Sequence, residues 1–217
     1  MTSRYRAVVF DLDGVLWDGE PLYHEGFNIV LGPLGHEVTT QEYEQIMGSS
    51  VEAAWEWVIG RFKLTEPPEQ FYATYDAAVL DLLSRPVEPL PGVRETIARL
   101  KSIPVPVGLA SASLRQWVDA TLAGIGLAEE FEVTVSASEV EHAKPAPDLY
   151  LQAAEKLGVP ATECVAVEDT RTGVASARAA GMYVVQVRAA STALAPIEEA
   201  DAVIESYAEF DFGPLGG

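Results

Sequence analysis

Apolar positions follow two regimes along the chain. From Leu90 onward, short apolar runs at 104–110, 131–135, 164–167, 183–187 and 202–204 alternate with stretches of helical spacing at 93–100, 114–123, 149–157 and 172–180. Val93, Ile97 and Leu100 stand at i, i+4 and i+7, the spacing of one helix face. Another run, Arg6-Ala-Val-Val-Phe10, opens the chain. Runs this short and uniformly apolar predict strands buried on both faces, as in a parallel sheet. Strands alternating with helices predict an α/β fold: a Rossmann-like, doubly wound parallel sheet core covered on both faces.

Between the first strand and Leu90 the rhythm breaks, and residues 17–86 read as helices only. Val51, Ala54, Trp55, Val58 and Phe62 share one helical face, as do Phe71, Tyr75, Val79 and Leu82. Gly19 and Pro21 mark the entry; Pro86, Pro89, Pro91 and Gly92 mark the exit. The expected organisation is an α/β core of residues 1–16 and 89–217, with an all-α cap domain, 17–88, inserted after the first strand. Placed there, the cap would hang over the end of that strand and act as a lid that excludes water. Trp17 is expected to pack within the lid.

Composition narrows the partners. The chain has 217 residues and a formal charge of −19, which argues against nucleic acid, since phosphate backbones are bound through an excess of Lys and Arg. It leaves a small anionic substrate open, because a metal ion and one lysine reverse the field locally. No apolar stretch reaches the roughly 18 residues of a membrane span. With the first strand starting within about five residues of the start, no signal peptide is expected. Cys164, the single cysteine, excludes an internal disulfide and reads as a small buried hydrophobe. A cytoplasmic monomer is the expectation.

Four loops at strand ends carry the candidate chemistry. The first strand runs into Asp11-Leu-Asp-Gly14, two carboxylates two residues apart, just where ligands of open α/β sheets bind. One acid can attack a substrate while the other handles its proton. Ser111 offers a hydroxyl beyond the 104–110 strand, and the next backbone N–H groups, from Ala112, lead into a helix start suited to an anion. Ser113-Leu-Arg-Gln116 fits a capping box, with Ser113 as N-cap and Gln116 reaching back. Lys144 lies in a proline-locked loop, Lys-Pro-Ala-Pro-Asp148. Glu168 and Asp169 form a second carboxylate pair after an apolar strand. Two acidic loops side by side repel unless a cation joins them, and hard oxygen ligands suit Mg²⁺. The set makes sense for phosphoryl transfer to a carboxylate nucleophile.

These motifs, in this order, resemble the haloacid-dehalogenase-like phosphohydrolases, in the helical-cap branch that includes beta-phosphoglucomutase and many small-molecule phosphatases. The resemblance implies that Asp11 attacks phosphorus, forming an aspartyl-phosphate, and that Asp13 protonates the leaving group and then activates water. It implies that Ser111, the Ala112 N–H and Lys144 hold the phosphoryl group. It also implies Mg²⁺ held by the Asp11 carboxylate, the Asp13 main-chain carbonyl and Asp169, with Glu168 close by. Dehalogenases lack the second aspartate, and phosphonatases use a cap lysine, for which this chain offers only Lys63. The family's mutase carries an arginine in a short cap motif like Gly48-Ser49-Ser50-Val51, where this chain has Val51. It also has a histidine twelve residues after the nucleophile, where Tyr23 stands, with His24 next. Tyr23, His24, Ser49, Ser50, Val51 and Arg171 are therefore candidates for substrate contact. The expected activity is a Mg²⁺-dependent phosphatase acting on a small phosphorylated metabolite. The alternatives are a phosphosugar mutase and a non-catalytic phosphometabolite-binding regulator.

Overall fold

The computed structural model describes residues 4–47, 50–190 and 195–215. Six strands form one sheet: β1 (Ala7–Phe10), β2 (Val107–Ser111), β3 (Val133–Ser136), β4 (Cys164–Glu168), β5 (Tyr183–Val187) and β6 (Ala202–Ile204). Their order is β3-β2-β1-β4-β5-β6, and every pairing is parallel. β1, β2 and β4 are buried along their whole length, which is why they read as unbroken apolar runs. The strand expected at 104–110 begins later, at Val107. Pro104 and Pro106 bring no backbone N–H to a ladder, although the Pro106 carbonyl still accepts from Val8 N at 3.1 Å.

The chain divides into two compact units, Met1–Asp18 with Pro86–Gly217, and Gly19–Arg85. In the first, helices α5 (Val93–Lys101), α6 (Arg115–Gly124), α7 (Asp148–Leu157) and α8 (Arg171–Ala179) alternate with the strands. Leu149, Tyr150, Ala153 and Ala154 of α7 join Val174 and Ala177 of α8 in the apolar cluster around Ala7, Val9 and Ala166. Where the chain leaves this unit and returns, Leu90 N donates to the Leu16 carbonyl at 2.8 Å, and Tyr207 Oη donates to the Val15 carbonyl at 2.8 Å.

The second unit is helical: α1 (Glu20–Leu31), α2 (Thr40–Tyr43), α3 (Val51–Phe62) and α4 (Pro68–Leu83). Its core is aromatic. Trp55 stacks on Phe71 with centroids 5.2 Å apart, and Phe27 lies 4.5 Å from Tyr75. Thr39 closes the start of α2 in a capping box with Glu42. Among the described residues no helix is long and apolar enough to cross a membrane.

Candidate active site

Strand order decides where a ligand binds. In a parallel sheet of order 3-2-1-4-5-6 the connections reverse direction between β1 and β4, opening a crevice beyond their carboxyl ends. Asp11 follows β1 directly, and Glu168 ends β4. The register pairs Phe10 with Val167, so the two acidic loops lie side by side. Ser111 ends β2, on the other flank of β1.

Lys144 joins the acidic loops. Its Nζ donates to Asp11 Oδ1 at 2.5 Å and to Glu168 Oε1 at 2.6 Å, with all three side chains almost wholly buried. Burial works against the ammonium, but the facing carboxylates outweigh it and hold the Lys144 pKa above its ordinary value. Burial likewise pushes Asp11 up to about 7, with Lys144 pulling it down and Glu168 pushing it up. The peptide bond between Lys144 and Pro145 is cis.

Glu168 is fully buried and held from three sides. Oε1 also accepts from Tyr150 Oη at 2.6 Å, and Oε2 accepts from Asp169 N at 3.2 Å. Gly173 makes room for it: a Cβ there would collide with the whole Glu168 carboxylate. Gly14, at φ +75°, turns the chain after Asp13, and a Cβ on it would overlap Asp169 Oδ2.

The acidic atoms fit a hard cation. Carboxylate oxygens of Asp11, Glu168 and Asp169 lie within 4.8 Å of one another. Asp169 Oδ1 is buried without a hydrogen-bond partner, and a buried acceptor left unpaired is costly. Burial, with the Asp11 and Glu168 charges behind it, raises the Asp169 pKa to about 9. A cation at this cluster would relieve all three strains, and an all-oxygen donor set suits Mg²⁺ or a similar hard ion.

Asp13 is held separately. Its Oδ1 accepts from Trp17 Nε1 at 3.1 Å, and its Oδ2 accepts from Ser113 Oγ at 2.9 Å. Two expectations change here. The N-cap of α6 is Leu114, with no side-chain cap bond. Ser113 therefore caps nothing; a carboxylate draws its hydroxyl more strongly than a neutral backbone N–H could. Trp17, expected within the lid segment, groups instead with the first unit and is buried, its indole bonded to Asp13. Ser111, itself buried, accepts at Oγ from Ser113 N at 3.1 Å, which leaves its O–H able to donate to an anion. Ala112 is exposed beside it.

Asp11, Asp13, Ser111, Lys144, Glu168 and Asp169 thus lie on adjacent strand ends of one sheet. The other candidates have different surroundings. Arg171 opens α8, exposed, 3.5 Å from Glu199. In the helical unit, His24 Nε2 bonds the Val38 carbonyl at 2.6 Å while its ring stacks on Tyr43. The Tyr23 carbonyl accepts from Tyr75 Oη at 3.3 Å. Ser50 N-caps α3 through Ala53 N, and Val51 sits half-buried in its first turn. Ser49 lies outside the described residues. Sequence reasoning missed Tyr150, although a hydroxyl on the otherwise apolar face Leu149, Tyr150, Ala153, Ala154 was a readable sign of a buried polar partner.

A buried lysine among carboxylates at a sheet's switch point is suited to phosphoryl chemistry, and comparison with known proteins defines the class. The chain belongs to the haloacid dehalogenase-like hydrolase family, whose model matches residues 5–181. It is 36% identical over 188 residues to fructose-1-phosphate phosphatase YqaB of Escherichia coli, covering 87% of this chain and 99% of that protein. It is 33% identical over 185 residues to hexitol phosphatase B of the same species, covering 84% and 83%. Among solved structures, a HAD family hydrolase from Deinococcus radiodurans R1 with bound phosphate and sodium superposes with a TM-score of 0.76 at 27% identity, covering 99% and 97% of the two chains.

Proposed function

We propose that this protein is a Mg²⁺-dependent phosphatase that hydrolyses a phosphorylated carbohydrate through an aspartyl-phosphate on Asp11. The observation that carries it is the buried Lys144 bridging Asp11 and Glu168, with Asp13 held beside them. Asp11 Oδ attacks phosphorus, and the bond from phosphorus to the sugar oxygen breaks as Asp13 delivers a proton to that oxygen. Water then attacks the aspartyl-phosphate, Asp13 takes its proton, and Asp11 and inorganic phosphate are released. Lys144, Ser111 Oγ and the Ala112 N–H bind the equatorial phosphoryl oxygens and neutralise their charge. Asp11, the Asp13 carbonyl and Asp169 would hold the metal, with Glu168 behind them; when bound it offsets the charge gathered between carboxylates and phosphate. The substrate class rests on relatives that act on fructose 1-phosphate and hexitol phosphates. Val51, an apolar residue at the start of α3, is no counterpart to the cation a mutase needs for a second phosphate.

The test is free-phosphate release from a panel of sugar and hexitol phosphates, nucleotides and phosphoglycolate, with Mg²⁺ and with EDTA. Release that needs the metal and vanishes in Asp11→Asn, with the fold retained, is expected. Undiminished release by that variant would overturn the mechanism. Conversion of a hexose 1-phosphate to its 6-phosphate without release would give the mutase instead.

A further inference from the structure

Neither the tryptophan nor the serine that grips Asp13 has a part in the mechanism so far. Trp17 is almost wholly buried, yet its indole N–H is directed at Asp13 Oδ1. Its backbone is tied to the same turn: Asp13 and Trp17 form a parallel bridge, and Gly14 N donates to the Trp17 carbonyl at 2.9 Å. Ser113 approaches from the opposite side, 100 residues along the chain. Its N–H donates to Ser111 Oγ at 3.1 Å, and its carbonyl accepts from Ala137 N at 3.2 Å. Both donors are thus anchored through their own main chains, and Asp13 is set between them.

The two donors are chemically unequal. An indole N–H only donates, whereas a serine hydroxyl rotates to donate or accept. The indole therefore favours the proton off Oδ1, since a carboxyl O–H oxygen accepts more weakly than a carbonyl or carboxylate oxygen. Oδ2 can carry it, because the Ser113 hydroxyl opposite it accommodates either form. Resting on the phosphatase reading above, we propose that Trp17 and Ser113 are positioning residues for proton transfer: Trp17 locks Oδ1, and Ser113 leaves Oδ2 as the oxygen that gives a proton to the leaving group and takes one from water. The balance is that of the two steps already written, one proton passing from Asp13 to the departing sugar oxygen and one returning from the attacking water.

A role in proton delivery has a signature that loss of packing lacks. Leaving groups of high pKa need a proton as they depart; p-nitrophenolate does not. The kcat/KM value reports only steps up to the first irreversible one, here phosphoryl transfer to Asp11. Trp17→Phe and Ser113→Ala should lower kcat/KM for the best sugar phosphate of the panel by about 10- to 100-fold, the worth of a hydrogen bond to a charged group. The loss for p-nitrophenyl phosphate should be at least tenfold smaller. Ser113→Thr, which restores the hydroxyl, should recover most of the sugar-phosphate rate. Equal losses on both esters, no loss on either, or no recovery with threonine would each overturn the proposal. Ser113 is only half-buried, so its pair of variants decides the matter even if Trp17→Phe folds poorly. Failure of the unaltered protein to release phosphate from either ester would instead remove the phosphatase reading, and this proposal with it.

Discussion

Tyr150→Phe deletes one oxygen from the centre of the first unit and leaves the ring in place. That oxygen donates at 2.6 Å to Glu168 Oε1, and both residues are fully buried. A hydrogen bond to a charged group is worth about 1.5–3 kcal/mol. Glu168 would keep Lys144 on the same oxygen and Asp169 N on the other, so it is weakened and not orphaned. The expected cost therefore sits at the low end, about 1.5 kcal/mol. No cavity term adds to it, because no apolar volume is removed. Urea unfolding followed by fluorescence and circular dichroism reads the change directly. A double-mutant cycle with Glu168→Gln isolates the pair, and coupling of about 1 kcal/mol or more is expected for groups in direct contact. A cost below about 0.5 kcal/mol, with no coupling, would refute the view that Tyr150 fixes Glu168.

Gly173→Ala should destabilise despite the better helix propensity of alanine, worth roughly 1 kcal/mol, because its Cβ would displace the Glu168 carboxylate; a stabilised variant would show that Glu168 moves aside freely. Mg²⁺ should raise the unfolding midpoint, by about 2.7 kcal/mol of stability at a hundredfold excess over Kd, and Asp169→Asn should remove most of that gain; titration with no shift would count against the cation site. Glu139 supplies a pH test outside the active site. Burial raises its pKa, but hydrogen bonds from Lys156, Arg115 and the Ser136 backbone outweigh it and hold the value at about 2, below the ordinary 4.5. A depressed carboxylate stabilises above its unfolded value, so this contribution is complete above pH 4.5 and lost as pH falls toward 2. Glu139 and its partners are part-exposed, and screening reduces the effect to about 1 kcal/mol. Unfolding free energies of the native chain and Glu139→Gln should therefore converge between pH 5 and pH 2.5, and a constant gap would contradict the assignment.

The strands were legible because a strand buried on both faces leaves no polar positions to confuse its pattern: Ala7–Phe10 and Cys164–Glu168 are apolar up to the acid that ends them. The four helices of the first unit were legible from their spacing, within one residue at each end. That these loops meet was legible because Asp11, Lys144 and Glu168 are charged residues at strand ends or loops where the apolar pattern needs none. What escaped were side-chain hydrogen bonds, near and distant alike. Ser113-Leu-Arg-Gln116 satisfies the local requirements of a capping box, and nothing nearby in the chain says that a carboxylate 100 residues away will claim the serine. Trp17 read as an apolar residue at a domain edge, since a one-dimensional pattern records the ring and not the direction of its N–H. Tyr150 was hidden in the same way, its hydroxyl needed only once β4 had placed Glu168 beneath α7.

Those three residues also account for how so acidic a site holds together. Asp11, Asp13, Glu168 and Asp169 bring four formal negative charges to the strand ends served by Lys144, a formal imbalance of three. Lys144 neutralises what it touches, Asp11 and Glu168. Asp13 is stabilised by the dipoles of Trp17 and Ser113, and Tyr150 adds a second donor to the Glu168 oxygen that Lys144 also holds. Among these four described carboxylates, Asp169 keeps a buried oxygen, Oδ1, without a hydrogen-bond partner. The fold therefore gives Asp11, Asp13 and Glu168 donors and leaves Asp169 Oδ1 unpaired where an incoming cation would bind. Adding a donor for Asp169 should stabilise the fold, and it would fill the position that a cation would take.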